Sequence, residues 1–334
     1  MTSSVLRVSL EAGRGQSLAR VTDSRDSSCL DTAVNALRTN APEMSAASPM
    51  AVWQQIAIYG IGVVTPSAIA LLVMGHADWL AAILTLPFAV IVLLRCAALW
   101  HLLWPSAIIK RDARALSDRD LPLYSVLIPV YKESEIAPAL VEAMSALTYP
   151  AGKLEIFFIT EANDPKTRAA LAAARPASHM QILTVPAGLP QTKPRALNFA
   201  LQFASGDLVA IYDAEDVPEP SQLRRAAERF ADAGPNLACV QARLSIYNPD
   251  DSFLTRQFTL EYAALFEAIL PALERLGLPI LLGGTSNHFR RTALSACCAW
   301  DAFNVTEDAD LGVRLARQGY SVAMLDSDTW EEAP

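Results

Sequence analysis

Three carboxylates follow a short apolar run near the middle of the chain. The run 208–212 (LVAIY) is followed directly by Asp213, and Glu215 and Asp216 come next. Neighbouring carboxylates repel each other and raise one another's pKa, so a cation or full solvation has to compensate. By itself the cluster therefore predicts either a site for a divalent metal ion or a solvated turn.

Other polar side chains stand just beyond apolar runs or at the start of predicted helices. Lys193 precedes Pro194, which suits the first turn of a helix, and a helix start beside a lysine favours anions. The loop 282–290 (LGGTSNHFR) is expected to bring backbone N–H groups close to phosphate oxygens. The candidate residues outside the acidic cluster are Tyr131, Glu133, Glu161, Lys193, Gly284, Thr285, Ser286 and Asp308.

Together these residues supply the parts needed to move a group from a diphosphate. Acidic side chains can hold a metal ion that neutralises the leaving diphosphate, and a lysine can contact its oxygens. A separate carboxylate, among Glu307 and Asp308 at the start of the last predicted helix, can take a proton from an attacking hydroxyl. The same residues also fit a plain helix start, in which Thr306 is the N-cap and Glu307 and Asp308 complement the helix dipole.

A phosphatase with Asp213 as its nucleophile is a second enzyme class that such carboxylates can serve. In that fold the acidic motif ends the first strand, and the lysine comes later in the chain. Here three predicted strands and Lys193 precede Asp213. The order of the residues therefore disfavours a phosphatase.

Alternating strand and helix patterns over the last 210 residues or so indicate the elements that position these side chains. The predicted strands are 124–130, 154–160, 181–185, 207–213, 238–246 and 321–326, and the predicted helices lie near 135–147, 165–174, 194–204, 219–232, 252–276 and 307–318. This alternation predicts an α/β fold with a mostly parallel sheet and helices on both faces. Ligands of such sheets bind at the carboxyl ends of the strands, where the acidic cluster lies.

The first third of the chain has a different character. Residues 1–50 are expected to be a mobile tail, and the apolar segments 51–74 and 79–104 are each about long enough to cross a bilayer. A basic linker, 105–121, follows them with Lys110, Arg111, Arg114 and Arg119, whereas residues 75–78 contain no Lys or Arg. This asymmetry predicts a hairpin with both ends in the cytoplasm.

Composition agrees with a membrane portion beside a globular one. The chain is 52% hydrophobic, and its mean hydropathy is +0.25. A formal charge of −8 argues against a nucleic-acid partner, which requires a basic surface. The five cysteines show no CxxC spacing, so neither a zinc site nor a disulfide framework is predicted.

From about Tyr124 to its end, the chain resembles the family 2 glycosyltransferases, which have the GT-A fold and include membrane-embedded polysaccharide synthases such as cellulose synthase. The segments that carry the resemblance are IPVYKE, with Tyr131 and Glu133, then TKPRALN, DAED and TED, in the order found in the family. The resemblance implies a GT-A domain over residues 122–334.

The resemblance also implies a role for single residues. Glu161 stands where the family usually has an Asp that contacts uracil, and Lys193 matches a lysine near the nucleotide diphosphate. Asp213 matches the first Asp of the DxD motif. Glu215 occupies its second position, which leaves either Glu215 or Asp216 as the other metal ligand. Asp308 matches the catalytic base of the TED motif.

The function that the resemblance implies is inverting hexosyl transfer with Mg²⁺ or Mn²⁺ as cofactor. The donor would be a nucleotide-diphospho-sugar, in the first place a UDP-sugar. The acceptor would be a glycan or a lipid-linked sugar at the cytoplasmic face of the inner membrane, with the lipid bilayer as a further partner.

One motif of the processive family members, Q-x-x-R-W, does not occur in the sequence, which ends at DTWEEAP. We therefore expect a GT-A domain that is incomplete at its C-terminus. The alternative function is a membrane subunit that binds a nucleotide-sugar without transferring the sugar.

Overall fold

A mixed β-sheet is the centre of the structure, a computed structural model that describes residues 24–75, 77–103 and 115–333. Within these residues eight strands form one sheet with the spatial order β3-β2-β1-β4-β7-β6-β8-β5. The strands are β1 (Tyr124–Val130), β2 (Leu154–Glu161), β3 (Met180–Val185), β4 (Leu208–Ile211), β5 (Val217–Pro218), β6 (Leu237–Ile246), β7 (Asn287–Arg290) and β8 (Ser321–Glu331).

Strands β1 to β4 are parallel, so their carboxyl ends share one edge of the sheet. Side chains alternate along β1: Val126 and Ile128 pack in one core cluster, and Leu127 packs in the cluster on the opposite face. Both faces are buried, which explains why these strands read as continuous apolar runs. The predicted α/β fold with a mostly parallel sheet is confirmed.

Helices cover both faces of this sheet. In the domain they are α4 (Ala137–Ser145), α5 (Pro165–Ala173), α6 (Lys193–Leu201), α7 (Gln222–Ala231), α8 (Phe253–Ala263), α9 (Leu270–Arg275), α10 (Arg291–Ala296) and α11 (Glu307–Arg317). Helices α8 and α9 are joined by a π-helical turn, Ala264–Ile269. Helix α6 begins at Lys193, directly after the loop that leaves β3.

Strand β7 lies where the sequence predicts only a loop. It runs antiparallel to β4, with Asn287 opposite Ile211, and it pairs with β6 on its other side. Its side chains alternate between the two faces of the sheet. The His288 ring forms a hydrogen bond with Tyr124 Oη on one face, and Phe289 packs against Trp300 on the other. The sequence NHFR does not show the apolar pattern of a buried strand, because its polar side chains are buried against partners from distant segments.

Residues 24–48, before the two apolar segments, are folded, which corrects that part of the predicted mobile tail. Helix α1 (Ser24–Asn40) packs on α6 through the buried Ala33, with Cys29 and Leu30 beside it. A short 3-10 turn, Pro42–Met44, follows it. Residues 1–23, the remainder of the predicted tail, lie outside the described residues.

Two apolar helices, α2 (Val52–Val73) and α3 (Ala77–Leu103), follow where the sequence predicts membrane spans. Val52–Val73 has a mean hydropathy of 2.1 and Ala81–Trp100 one of 2.3, so both are candidate spans by length and composition. Near its end α3 contacts the domain, where Ala98 packs against Ala268 and Ala272. Residues 104–114, which include Lys110, Arg111 and Arg114 of the predicted basic linker, lie outside the described residues.

Candidate active site

A cavity of about 440 Å³ opens at the edge where the parallel strands end. Six of the predicted site residues line it: Tyr131, Glu133, Glu161, Lys193, Asp213 and Glu215. A larger cavity, of about 620 Å³, lies at the opposite edge beside Pro122 and Arg290, and it contains none of the predicted residues. In open α/β sheets ligands bind at the carboxyl ends of the strands, so the smaller cavity is the candidate active site.

Lys193 and Asp213 form an ion pair in the wall of this cavity. Lys193 Nζ lies 2.5 Å from Asp213 Oδ1 and donates a second hydrogen bond, of 2.6 Å, to the carbonyl oxygen of Gly284. Burial disfavours the charged lysine, but the carboxylates of Asp213 and Asp308 outweigh it and raise the lysine pKa. Lys193 therefore stays protonated. It links the start of α6 to the turn after β4, through Asp213, and to the 283–286 loop, through Gly284.

Asp216 faces into the protein and not into the cavity. Its Oδ2 accepts a hydrogen bond from the Asp213 N–H at 2.7 Å and another from the Thr285 hydroxyl. Burial, followed by the charge of Asp213, raises the pKa of Asp216 well above its ordinary value. Asp216, one of the three predicted metal ligands, thus does not line the cavity, and its carboxylate braces the turn that carries Asp213.

Ser286 is also turned inward. Its N–H donates to the carbonyl oxygen of Ile211 at 2.8 Å, and its hydroxyl donates to Thr329 Oγ1 at 2.7 Å. Ser286 has a φ of 56°, a left-handed conformation that lets the chain turn sharply from the Gly284 loop into β7. Ser286 and Thr285 therefore hold the loop in place, and the Ser286 N–H and hydroxyl are already engaged within the protein.

Glu215 and Glu133 keep their carboxylates at the cavity. Burial raises the pKa of Glu215, and the charges of Asp213 and Glu332 raise it further. Burial also raises the pKa of Glu133, with Glu215 and Asp213 as the next causes. These side chains repel one another, as the sequence predicts for an acidic cluster without enough cations.

A divalent metal ion fits the chemistry of this donor set. In the described part of the chain, no three His, Cys, Asp or Glu side chains are grouped to hold an ion by themselves. Mg²⁺ is commonly held by one or two carboxylates together with substrate phosphates. Asp213 and Glu215 provide two such carboxylates at the cavity, so a metal that arrives with a diphosphate is consistent with these residues.

Glu161 is paired with a buried arginine that the sequence analysis does not identify. Arg195 is fully buried and its guanidinium lies 2.5 Å from Glu161 Oε2, with a further hydrogen bond of 2.6 Å to the carbonyl oxygen of Gly188. Burial raises the pKa of Glu161, and Arg195 opposes that rise. The ion pair fixes one wall of the cavity. Because Arg195 occupies Oε2 of Glu161, that oxygen is less available for the predicted contact with a nucleobase such as uracil.

Asp164 shapes the turn after β1. It accepts hydrogen bonds from the Lys132 N–H at 2.5 Å and from the Thr167 N–H at 3.2 Å, so it caps α5 and holds Lys132 at a φ of 61°. That conformation presents Tyr131 and Glu133 to the cavity. An Asp followed by Pro at the start of a helix is the sequence signal that could have identified this role.

Asp308 lies in the first turn of α11 and is 4% exposed. Trp300 Nε1 donates to its Oδ1 at 2.9 Å. Burial raises the pKa of Asp308 to about 7; Lys193 opposes this rise, and Glu307 and Asp213 add to it. Thr306 does not cap the helix as the plain helix-start interpretation requires, because its hydroxyl donates to Asn304 Oδ1.

Comparison with known proteins gives one family for the domain. The family model described as Glycosyltransferase like family 2 matches residues 122–334. A beta-monoglucosyldiacylglycerol synthase of Trichormus variabilis is 27% identical over 208 residues, which cover 61% of this chain and 43% of that protein. Glucomannan 4-beta-mannosyltransferase 2 of Arabidopsis thaliana is 29% identical over 226 residues, covering 64% and 41%. The chain thus spans less than half the length of these relatives.

A mannosyltransferase from Pyrobaculum calidifontis, solved in complex with GDP-Man and Mn²⁺, has a similar fold. Its TM-score is 0.56 at 21% sequence identity, and the match covers 74% of this chain and 68% of the other. At this level of identity the likeness concerns the fold, which is the GT-A arrangement expected from the sequence.

Proposed function

Because the chain belongs to the Glycosyltransferase like family 2, we propose that it transfers a hexosyl group from a nucleotide-diphospho-sugar to a glycan or lipid-linked acceptor with inversion. The observation that carries the proposal is the arrangement around Lys193. This cation pairs with Asp213 at the cavity, and the charge of the buried Asp308 contributes to its raised pKa. Residues 122–334 would form the catalytic domain.

The donor would lie in the cavity with its diphosphate at the start of α6. Lys193 and the positive end of the α6 dipole would attract phosphate oxygens. Tyr131, Glu133 and Glu161 line the part of the cavity that would receive the nucleoside. Asp213 and Glu215 would hold Mg²⁺ or Mn²⁺, which supplies charge neutralisation of the leaving diphosphate when bound. The name of the Trichormus relative favours a lipid-linked acceptor and that of the Arabidopsis relative a glycan.

Asp308 would serve as the base of the transfer step. Its carboxylate takes the proton of the acceptor hydroxyl while that oxygen bonds to the anomeric carbon of the sugar. The bond from this carbon to the diphosphate oxygen breaks, and the nucleoside diphosphate leaves with the electron pair. A single displacement inverts the anomeric centre. A pKa of about 7 lets Asp308 both hold and release a proton near neutral pH.

We further propose that α2 and α3 anchor the domain to the cytoplasmic face of the inner membrane. Helix α1 and the domain are in contact, although they stand on opposite sides of the helix pair in the sequence. Both ends of the pair therefore lie on the same side, as a hairpin requires.

A donor screen tests the proposal. The detergent-solubilised chain is incubated with UDP- and GDP-hexoses and Mg²⁺ or Mn²⁺, donor binding is measured by calorimetry, and transfer is followed by release of UDP or GDP. We expect binding of one nucleotide class and metal-dependent transfer, which Asp308→Asn lowers by about 10²–10⁴-fold with donor binding retained. Donor binding without transfer, in the original chain as in Asp308→Asn, would instead support a nucleotide-sugar-binding subunit. Absence of donor binding would refute both functions.

A further inference from the structure

The folded segment before the membrane hairpin, residues 24–48, contacts the loop that positions Asp308. We call residues 297–304, between α10 and α11, the Trp300 loop. Asn198, a buried residue of α6, connects the segment to this loop. Its side-chain amide donates to the carbonyl oxygens of Ala33 in α1, at 2.9 Å, and of Trp300, at 2.7 Å, and its oxygen accepts the Trp300 N–H at 3.1 Å.

A second connection runs through Asp301, which is 1% exposed. Its Oδ2 accepts the backbone N–H of Ala46 at 2.5 Å, and its Oδ1 accepts the hydroxyl of Ser45 at 3.3 Å. The same Oδ1 accepts the N–H of Phe303 at 3.1 Å. Asp301 therefore ties the turn after α1 to the Trp300 loop, and its carboxylate is compensated by donors from both segments.

The Trp300 loop needs such external support because its backbone is strained. Cys298 and Ala299 have φ values of 57° and 52°, which non-glycine residues adopt only when their surroundings impose it. Arg314 of α11 holds one side of the loop by hydrogen bonds of 2.6 and 2.7 Å to the carbonyl oxygens of Cys297 and Ala299. Asn198 and Asp301 hold the other side. Trp300 is fixed between them, and its indole N–H binds Asp308.

We propose that residues 24–48 are a positioning element of the active site, which acts through Asn198, Asp301 and Trp300 to orient the Asp308 carboxylate. The inference rests on the proposed function of Asp308 as the base. A general base has to be held within a few tenths of an ångström of its productive position. The membrane hairpin begins a few residues after this element, so the same segment links the anchor to the catalytic centre.

Two variants test this role, and a third is the control. Asn198→Ala removes the amide shared by Ala33 and Trp300. Asp301→Asn replaces one of the two acceptor oxygens by an NH₂ group, so the Ala46 and Phe303 N–H groups no longer both have an acceptor. In the control Asn35→Ala, the deleted amide binds only Asp31, within α1 at its exposed face.

Hydrogen exchange and kinetics of the full chain give independent readouts. For Asn198→Ala and Asp301→Asn we expect exchange about tenfold faster across residues 299–308, and kcat lowered about 10- to 100-fold with the donor KM within about twofold. Asn35→Ala should match the original chain in all three measurements. A purely structural role would instead alter KM and kcat together, or lower only the melting temperature.

Unchanged exchange across 299–308 in Asp301→Asn overturns the inference, whatever the kinetics show. Unchanged kcat despite faster exchange overturns it as well. Failure of the proposed function is distinguishable, because it appears in the original chain as absent donor binding or transfer while the exchange measurement still reports the contact.

Discussion

Replacing Asp308 by Asn should stabilise the chain while it lowers the proposed transfer by about 10²–10⁴-fold. Burial raises the pKa of this carboxyl from the ordinary 3.8 to about 7, so the folded chain holds the proton more tightly than the unfolded chain. The carboxyl therefore destabilises the fold increasingly as pH rises from about 4 to about 7, by about 2 kcal/mol at pH 5 and about 4 kcal/mol at pH 8. Asn keeps an oxygen for the Trp300 N–H without carrying this charge.

The assay is thermal unfolding of the full chain without nucleotide, at both pH values. For a domain of this size, about 2–4 °C per kcal/mol predicts that Asp308→Asn raises Tm by about 8–16 °C at pH 8 and about 4–8 °C at pH 5. In the control Asp310→Asn, loss of the carboxylate that holds Arg314 Nε at 2.7 Å should lower Tm. A Tm that also falls in Asp308→Asn would refute the reasoning, because an acid that only complements the helix dipole stabilises its helix.

Three further predictions concern the donor, the pH profile and the membrane. Asp213→Asn should weaken metal-dependent donor binding at least tenfold, about 1.4 kcal/mol, and calorimetry with and without EDTA checks this. The kcat/KM of transfer should rise with pH through about 7, because the base must be deprotonated in the free enzyme; a profile flat from pH 5 to 9 would exclude Asp308. A reporter fused after residue 120 should be active only if it functions in the cytoplasm, and periplasmic activity would contradict the hairpin.

The sequence predicts the parts of the site that depend on strand ends. The run before Asp213 is apolar because β4 is buried on both faces, and polar side chains return only where the chain leaves the sheet. The same rule places Tyr131 after β1 and Lys193 at the start of α6. Parallel strands bring these ends to one edge, so the order of the motifs is enough to predict that they meet.

The direction of a side chain is what the sequence does not predict. Asp216 and Ser286 stand beside Asp213 and Gly284 in the chain, yet their partners are Thr285, Ile211 and Thr329, which only the tertiary fold brings close.

Helix α1 is not predicted from the sequence either, because it too depends on a contact that only the tertiary fold provides. Its sequence is polar along most of its length, and its few buried side chains, such as Ala33, meet α6 about 165 residues later. Local propensity carries no signal of that contact, because the stability of a short helix comes mostly from packing.

The acidic cluster at the end of β4 is compensated only in part by the protein itself. Among the described residues that line the cavity, Lys193 is the one basic side chain, whereas Glu133, Asp213 and Glu215 are acidic and Glu161 already has Arg195 as its partner. One positive and three negative charges leave the cavity with an excess of two negative charges. A diphosphate alone would be repelled, and a divalent ion alone would lack phosphate ligands. Each should therefore raise the affinity for the other by the same factor, since linkage is reciprocal. The mutual repulsion of the Asp213 and Glu215 carboxylates then favours the state in which both donor and metal are bound.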